Sequence, residues 1–237
     1  MGTGIEAAGT NAAGLTRHYR AITHNLANAN TAGFKRQIGS MSQSPDAESG
    51  VNGIQEHVSV DFGQGRLVQT GRPLDFALEG KNCFFVVESP QGPMYTRNGV
   101  FRTNGQGQLV DAGGRTVAGR NGPIVIPQSV GATGVNVAKD GSVSGGDQNL
   151  GQMRIVRFED VTKLEPADGV SFRAPEGVDP SNANDAVVYQ RFQEASNVVA
   201  VEELVDLITL TRMYEASFKT IGSQDDRMKS IIQVAMG

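Results

Sequence analysis

Residues 5–29 read IEAAGTNAAGLTRHYRAITHNLANA and place apolar or small side chains at alternating steps of three and four residues. This is the spacing of the a and d positions of a coiled coil, where one stripe of a helix faces a partner helix. Gly33 lies just beyond the last step and is a typical helix terminator. The sequence therefore predicts an N-terminal helix that ends near Asn30, with a seam of Ile5, Ala8, Ala12, Leu15, Tyr19, Ile22, Leu26 and Ala29.

The C-terminal end of the chain repeats this spacing between about residues 197 and 236. Only Thr211 and Asp225 interrupt the apolar series, while Val201, Val205 and Ile208 widen the stripe beside it. At ~1.5 Å per residue, such a helix would be roughly 60 Å long. The predicted C-terminal seam comprises Ala200, Leu204, Leu207, Thr211, Tyr214, Phe218, Ile221, Asp225, Met228, Ile232 and Ala235.

The two terminal helices are natural partners, because each exposes its apolar stripe when it is alone. Residues 1–36 carry a side-chain charge of +3 and residues 194–237 one of −3. Opposite charge favours pairing, although each surface contact contributes little. The C-terminal stripe has more apolar surface than an Ala-rich partner helix can cover, so we expect the helices to pack between subunits as well. The alternative is a helical hairpin stalk that packs only on its own β domain.

Glycine and proline concentrate in the middle of the chain, where residues 61–180 hold 20 of the 30 Gly and 8 of the 9 Pro. Both residues punctuate turns and are poorly tolerated inside helices. Short apolar runs lie between these turns, such as residues 84–87, with a hairpin partner expected at residues 94–97. The middle is therefore predicted to be a compact β domain of barrel or sandwich type.

Together these patterns predict an α+β fold in which long N- and C-terminal helices pair as a coiled-coil-like stalk and a central all-β domain is inserted between them. The predicted division is an N-terminal helical segment at 1–36, a linker at 37–60, the central β domain at 61–180, a linker at 181–193, and a C-terminal helical segment at 194–237 that pairs with the first.

The composition excludes several classes of function. The formal net charge is −4 over 237 residues, which gives no general basic field for nucleic acid. Cys83 is the single cysteine, so no intramolecular disulfide is possible. No run approaches the ~18–20 apolar residues of a membrane span, and the N-terminus lacks the basic and apolar regions of a cleaved secretory signal.

The motifs of common enzymes are missing as well. His18 and His24 are six residues apart and do not share a helix face as an i, i+4 metal pair would. Cys83 precedes two phenylalanines and is interpreted as a small buried residue. We find no phosphate-binding loop and no dinucleotide fingerprint. The sequence predicts no enzyme, no cofactor, no metal and no small-molecule substrate.

Specific motifs then match a known family. Residues 25–36, NLANANTAGFKR, closely resemble the N-terminal motif of bacterial flagellar rod and hook proteins. The segments EASNV, EELV and RMYEA at 194–198, 202–205 and 212–216 resemble their C-terminal motif. The rod-protein β domain is resembled by DFGQG at 61–65, TGRPLD at 70–75 and YTRNG at 95–99. These motifs span nearly the whole chain, and they occur in the order of the family.

The resemblance implies a structural subunit of the flagellar basal-body rod that polymerises through its terminal helices as part of the torque-transmitting drive shaft. Within the family the chain looks most like the proximal rod subunit, and the distal rod subunit is the alternative. Implied partners are other rod subunits, copies of itself and the flagellar type III export apparatus. The implied location is the rod in the periplasmic space, reached without a cleaved signal peptide. A different class of function, a cell-wall-binding or hydrolytic β module on a helical stalk, is the second hypothesis.

The motif residues have physical interpretations of their own. Asn25 and Asn28 either cap the helix end or contact another subunit. Gly33 can adopt the left-handed conformation that ends a helix, and Phe34 could fold back as an apolar anchor. Lys35 with its neighbour Arg36 either faces helix-end carbonyls or is a solvated basic pair. The predicted assembly interface consists of Leu15, Tyr19, Ile22, Asn25, Leu26, Asn28, Gly33, Phe34, Asn197, Leu204, Leu207, Arg212, Tyr214, Phe218 and Ile221.

Overall fold

The computed structural model describes residues 3–45 and 52–236. Its contacts divide the chain into two compact units. The helical unit contains the helices α1 (Thr3–Ala27) and α2 (Ala200–Met236) with the strands β1 (Gln37–Pro45) and β2 (Asn52–Val60). The β unit contains residues 28–36 and 62–197.

The strands of the β unit are short, as the frequent turn residues predict. They are β3 (Leu67–Gln69), β4 (Phe76–Glu79), β5 (Cys83–Ser89), β6 (Gly92–Thr96), β7 (Arg102–Thr103), β8 (Leu109–Val110), β9 (Thr116–Gly119), β10 (Gly122–Pro123), β11 (Val135–Val137), β12 (Ser142–Gly145), β13 (Gln148–Gln152), β14 (Ile155–Arg157), β15 (Glu165–Pro166), β16 (Ser171–Arg173), β17 (Ser181–Asn182), β18 (Val187–Gln190) and β19 (Phe192–Glu194). Two short 3₁₀ helices span Ala132–Gly134 and Val161–Lys163.

The two helices do not pair as a coiled coil, so the predicted coiled-coil-like stalk is wrong. Among the described side chains, Leu15, Ile22 and Leu210 form a small apolar cluster, with Leu207 packed against it. The predicted seam does not continue as a buried line, because four of its large side chains are exposed: Tyr19, Leu204, Tyr214 and Phe218. Ala29 lies beyond the end of α1. The side chains of Ile5, Ala8, Ala12, Ile221, Asp225, Met228, Ile232 and Ala235 are outside the described ones.

A β-hairpin is a second partner of α1. β1 and β2 pair antiparallel from Gln37 opposite Val60 to Pro45 opposite Asn52. The hairpin packs on α1, where a Cβ at Gly39 would lie 3.2 Å from Nδ1 of His18. Residues 37–60, assigned to a linker by the sequence analysis, therefore contain two long paired strands. Among the described side chains, α1 therefore contacts both α2 and the hairpin.

The β unit is built around a large antiparallel sheet. Its main path runs in the order β15-β16-β6-β5-β9-β8-β7, and β10, β14 and β17 join it at β9, β5 and β14 respectively. The predicted hairpin partner is confirmed, because β5 and β6 pair from Phe85 opposite Thr96 to Ser89 opposite Gly92. Smaller antiparallel sheets are formed by β11-β12-β13, by β4 with β18 and by β3 with β19. Strands β17, β18 and β19 thus include most of the stretch 181–193 that the sequence analysis assigned to a linker.

Strand β5 has apolar neighbours on both faces, which explains its continuous apolar run. Successive side chains of a strand point to opposite faces of the sheet. Phe85 and Val87 belong to the main apolar core. Phe84, on the other face, makes ring contacts with Phe62, Phe158 and Phe172 at centroid distances of 5.9–6.0 Å.

Candidate functional site

The predicted interface residues separate into three groups. Leu15, Ile22, Asn25, Gly33 and Phe34 are buried in the single chain. Leu26, Asn28, Asn197 and Leu207 are partly buried, and Tyr19, Leu204, Arg212, Tyr214 and Phe218 are exposed. Ile221 lies in α2, but its side chain is outside the described ones. The exposed side chains can contact a partner without rearrangement, whereas the buried ones pack within the chain.

The N-terminal and C-terminal motifs meet inside the β unit, in a feature that we call the clamp: residues 33–36 against residues 194–197. The Gly33 amide donates to the carbonyl of Glu194 at 2.8 Å, and the Asn197 amide donates to the carbonyl of Phe34 at 3.4 Å. Oδ1 of Asn197 accepts from the Arg36 amide at 2.7 Å. The two segments are therefore held side by side by backbone and side-chain hydrogen bonds.

Gly33 is required at its position in the clamp for two reasons. Its φ is +68°, in the left-handed region that disfavours side chains. A Cβ added there would also lie 2.3 Å from the backbone nitrogen of Asn98. The predicted left-handed conformation of Gly33 is confirmed, but its predicted role as the helix terminator is wrong, because α1 ends at Ala27. The Phe34 side chain is fully buried, as expected of an apolar anchor.

Three charged side chains are buried at the clamp: two belong to it, and the third, Arg97, lies next to it. Nζ of Lys35 donates to Oε1 of Glu194 at 2.5 Å and to the carbonyl of Gly63 at 2.7 Å. Nε of Arg97 lies 3.5 Å from Oε2 of the same carboxylate. The Gly65 amide donates to Oε1 at 2.9 Å. The exposed fractions of the Lys35, Arg97 and Glu194 side chains are 1%, 3% and 0%, so this ion cluster is sealed from solvent.

The electrostatics of this ion cluster are those of a structural element. Buried charges are tolerated when they are paired and hydrogen-bonded. Nη2 of Arg97 donates to the carbonyl of Gly80 at 2.8 Å, and its guanidinium lies 5.9 Å from the centre of the Phe84 ring. Burial lowers the pKa of Arg97 from its ordinary value, and the Glu194 carboxylate opposes that shift. The cluster fixes the clamp and offers no access to a substrate.

The sequence analysis missed this cluster, and for Lys35 the interpretation as part of a solvated basic pair is wrong. A lysine next to an arginine after a helix usually lies on the surface, so the pattern gave no reason to bury it. The one available signal was that the two motifs matching the family each contain a charge, Lys35 and Glu194, of opposite sign. Arg97 lies in a third matching segment, 95–99, which supplies the second cation.

Asn25 joins three elements of the helical unit. Its Nδ2 donates to the carbonyl of Gln37 at 2.8 Å, and its Oδ1 accepts from the Gln37 amide at 2.8 Å, in the manner of a paired strand residue. Nδ2 also lies 3.2 Å from Oε2 of Glu203 on α2, and both side chains are buried. Asn25 therefore bonds to the start of β1 and links α1 to α2, a role other than helix capping, and its predicted contact with another subunit stays a prediction.

The first turns of α2 expose an apolar surface, which we call the outer stripe: Val201, Leu204, Val205 and Ile208. These positions follow the i, i+3, i+4, i+7 spacing of one helix face. Their exposed fractions are 70%, 45%, 56% and 54%. Adjacent large apolar side chains exposed in this way mark an interaction surface.

A second apolar feature, the helix groove, lies between α1 and α2. It is a cavity of about 260 Å³ lined by Leu15, Thr16, Tyr19, Leu210, Thr211 and Tyr214. The Tyr214 ring also contacts Phe218 on the next turn, with centroids 4.6 Å apart. The groove thus brings together Leu15, Tyr19 and Tyr214 from the predicted interface.

The described residues contain no group of three or more His, Cys, Asp or Glu placed to hold a metal ion. Cys83 is a free thiol and fully buried. Within residues 3–45 and 52–236, neither helix is long and apolar enough to cross a membrane.

Comparisons with known proteins agree with the motifs. A family model described as flagellar hook protein FlgE/F/G D1 domain matches residues 77–145. A second, described as flagellar basal body rod FlgEFG protein C-terminal, matches residues 189–234.

Full-length relatives are similar over nearly the whole chain. The flagellar basal-body rod protein FlgF of Caulobacter vibrioides is 32% identical over 228 residues, which cover 92% of both chains. FlgG of the same organism is 32% identical over 250 residues, covering 90% of this chain and 92% of its own. FlgF of Salmonella typhimurium is 30% identical over 240 residues, covering 91% of both. On the strength of these matches, the chain belongs to the flagellar basal-body rod protein family.

Proposed function

We propose that this protein is a structural subunit of the flagellar basal-body rod and that it polymerises with copies of itself and with other rod subunits through its terminal helices. The observation that carries the proposal is the outer stripe of α2, an exposed apolar helix face in the single chain. Full burial of a Val, Leu or Ile side chain contributes about 1.5–3 kcal/mol. The stripe side chains are roughly half exposed, so covering them adds about 1 kcal/mol each before the costs of association.

The clamp supports a mechanical role. A drive shaft has to transmit torque without local yielding. The clamp binds the segment just before β1 to the end of β19 and the residues after it, through backbone hydrogen bonds and a sealed ion cluster. Local opening of such a region is costly, because it would expose paired charges that lose their partners. Stiffness in this account comes from packing and pairing, and we propose no catalytic role.

Position and route are further parts of the proposal. The segments 70–75 and 95–99 resemble the proximal rod subunit most closely, and we propose that position, with the distal rod as the alternative. Relatives of both printed names, FlgF and FlgG, are 32% identical to the chain. We further propose export through the flagellar type III apparatus and a final location in the periplasmic part of the rod.

The test is incorporation into basal bodies of variants at two exposed apolar positions of α2. In a strain that lacks its own copy, Leu204→Asp and Phe218→Asp should abolish swimming and remove the protein from purified basal bodies, because a carboxylate cannot be buried in an apolar contact without a large penalty. Both side chains are half exposed in the single chain, so circular dichroism of the purified variants should match the wild type.

The matched control is Val125→Asp, since Val125 is 42% exposed on the β unit, outside the helical unit. It should swim and assemble normally. Normal incorporation of Leu204→Asp and Phe218→Asp would contradict polymerisation through the helices. Absence of the wild-type protein from basal bodies would contradict the rod assignment itself.

A further inference from the structure

Four asparagines of the chain are followed directly by glycine: Asn52, Asn98, Asn104 and Asn121. In such a pair the backbone nitrogen of the glycine can attack the side-chain carbonyl carbon of the asparagine, because glycine has no side chain to obstruct the approach. The reaction needs a side chain that can turn back onto the main chain, so hydrogen bonds that hold the amide suppress it. Asn52 lies in β2 and its side chain is outside the described ones, which leaves three pairs to compare.

The pair at Asn98 is enclosed and hydrogen-bonded. Oδ1 of Asn98 accepts from the Val100 amide at 3.0 Å. A Cβ added at Gly99 would lie 1.9 Å from the carbonyl oxygen of Phe76, and the Phe76 amide donates to the Gly99 carbonyl at 2.9 Å. Both the side chain and the backbone that would have to react are therefore fixed.

The pair at Asn104 is held by hydrogen bonds alone, because the space around Gly105 is open. Oδ1 of Asn104 accepts from the Gln106 amide at 3.0 Å and from the Gln108 amide at 2.9 Å. Its Nδ2 donates to Oε1 of Gln108 at 2.9 Å. Turning this side chain onto the Gly105 nitrogen would break these bonds and leave their partners unsatisfied.

The pair at Asn121 has neither restraint. Asn121 lies in the turn between β9 and β10, and both Asn121 and Gly122 are exposed. Within the described part of the chain, the Asn121 side chain makes no hydrogen bond. Gly122 has a φ of +120°, and a Cβ added there would meet no other part of the described chain within 4 Å. The side chain can therefore rotate, and the glycine nitrogen is not shielded.

We propose that Asn121 is a site of spontaneous deamidation, at which the protein modifies its own turn as it ages. The nitrogen of Gly122 forms a bond to Cγ of Asn121, and the bond between Cγ and Nδ2 breaks. Nδ2 leaves as ammonia and takes the proton of the Gly122 amide with it. One water molecule then opens the cyclic imide. Opening at one carbonyl gives aspartate, and opening at the other gives isoaspartate, in which the main chain runs through the side-chain carbon.

The product changes the charge and the shape of this turn. The new carboxylate lies at a polar cavity of about 420 Å³ that is also lined by Ser142, Asn149 and Gln152. Isoaspartate adds a methylene group to the main chain between Gly119 and Gly122, which pair across β9 and β10. We expect this pairing to weaken in the isoaspartate form. The inference concerns the β unit alone and does not depend on the rod assignment.

The experiment follows the purified full chain during incubation at physiological temperature in mildly alkaline buffer, where the attacking nitrogen loses its proton more often. Trypsin places each of the three pairs in a peptide of its own, at residues 98–102, 103–115 and 121–139. Mass spectrometry measures the conversion of each amide to the acid, and a methyltransferase specific for isoaspartate identifies the rearranged product. A sample digested at time zero corrects for reaction during digestion. A parallel sample is kept unfolded in guanidinium chloride.

In the unfolded chain the three pairs should react at comparable rates, because each has the same local sequence. In the folded chain Asn121 should react at least about tenfold faster than Asn98 and Asn104, which have to wait for local opening. The matched variant Asn121→Gln should lose the signal in the peptide 121–139 and keep the circular dichroism of the wild type, because the longer side chain closes the ring far more slowly.

Equal rates at the three positions of the folded chain would overturn the proposal, as would a faster reaction at Asn98 or Asn104. An Asn121 that stays unconverted in the folded chain while it reacts in the unfolded one would also overturn it, because the turn would then protect its own amide.

Discussion

Removal of the Lys35 charge is the sharpest test of the clamp. In the variant Lys35→Met, the aliphatic part of the side chain is kept but the ammonium group is lost. Glu194 then retains the Gly65 amide at 2.9 Å and Arg97 Nε at 3.5 Å. Breaking a buried ion pair from one side costs about 3–5 kcal/mol, because a charge is left without its partner. Since Arg97 remains close, we expect the lower end, about 3 kcal/mol.

The measurements are the free energy of unfolding in urea and the Tm of thermal unfolding, both followed by far-UV circular dichroism. Hydrogen exchange of the Gly65 amide is the local reporter. For a chain of this size a loss of 1 kcal/mol lowers Tm by about 2–4 °C, so Lys35→Met should lower it by roughly 6–12 °C. Exchange at Gly65 should accelerate, because its acceptor Glu194 is no longer held by Lys35.

A surface lysine provides the control. Lys163 lies 3.9 Å from Asp160, and both side chains are about half exposed, so Lys163→Met should cost at most about 1 kcal/mol. Glu194→Gln should cost more than Lys35→Met, about 5 kcal/mol, because it leaves two buried cations without a carboxylate. The double variant should lose less than the sum of the two, since the groups interact directly. If Lys35→Met behaved like Lys163→Met, the clamp would not depend on the ion cluster and the reasoning would be refuted.

Three further predictions concern single positions. Gly33→Ala should cost more than 2 kcal/mol, because the new Cβ collides with the Asn98 backbone in addition to the strain of a left-handed φ. Gly71→Ala, with φ +76° and open space around it, should cost only about 1 kcal/mol. Thermal unfolding compares the two variants, and equal losses would contradict the close approach to Asn98. Asn25→Ala should cost about 3 kcal/mol and speed hydrogen exchange of the Gln37 amide, because buried polar partners lose their hydrogen bonds. Asn30→Ala, at an exposed position, is the neutral control. Unchanged exchange at Gln37 would contradict the role of Asn25 in holding the start of β1. Hydrogen bonds from the Ser142 backbone amide and hydroxyl lower the pKa of Asp140 below 3.8. The contribution of Asp140 to the free energy of unfolding is therefore present above pH 3.8 and lost as the pH falls through the lower pKa of the folded state. Asp140→Asn should reduce the fall of unfolding free energy at acid pH, and an unchanged fall would argue against this linkage.

The two helices and the β-rich middle could be predicted from the sequence, because each follows from a pattern of neighbouring residues. The three-and-four spacing predicted a helix that ends near Asn30 and another that begins near residue 197, and in the structure they end at Ala27 and begin at Ala200. The run at Phe84 predicted a strand with a partner at Met94, which is confirmed. The coiled-coil pairing failed because spacing identifies an apolar face but not what covers it. Here α1 is covered partly by the hairpin of β1 and β2, and that hairpin has no strong local pattern of its own.

The candidate site was predictable in outline and not in its roles. The motifs that resemble the rod family identified Gly33, Phe34 and Asn197, and their meeting in the clamp follows from long-range pairing that no local pattern encodes. The Asn25 side-chain amide has a donor nitrogen and an acceptor oxygen, and only the folded chain shows that the nitrogen donates to Gln37 and Glu203 while the oxygen accepts from the Gln37 amide. The exposed positions Leu204, Tyr214 and Phe218 remain a predicted assembly interface, and their exposure in the single chain is what such an interface needs.

Labelling of the outer stripe tests the central claim most directly. Leu204→Cys, the half-exposed position at the middle of the stripe, is treated with a maleimide probe in the purified chain and in intact basal bodies, with the buried Cys83 as an internal silent reference. The account predicts rapid labelling in the purified chain and strong protection in basal bodies, because a neighbouring subunit covers the stripe. Equal labelling in the two samples would contradict it.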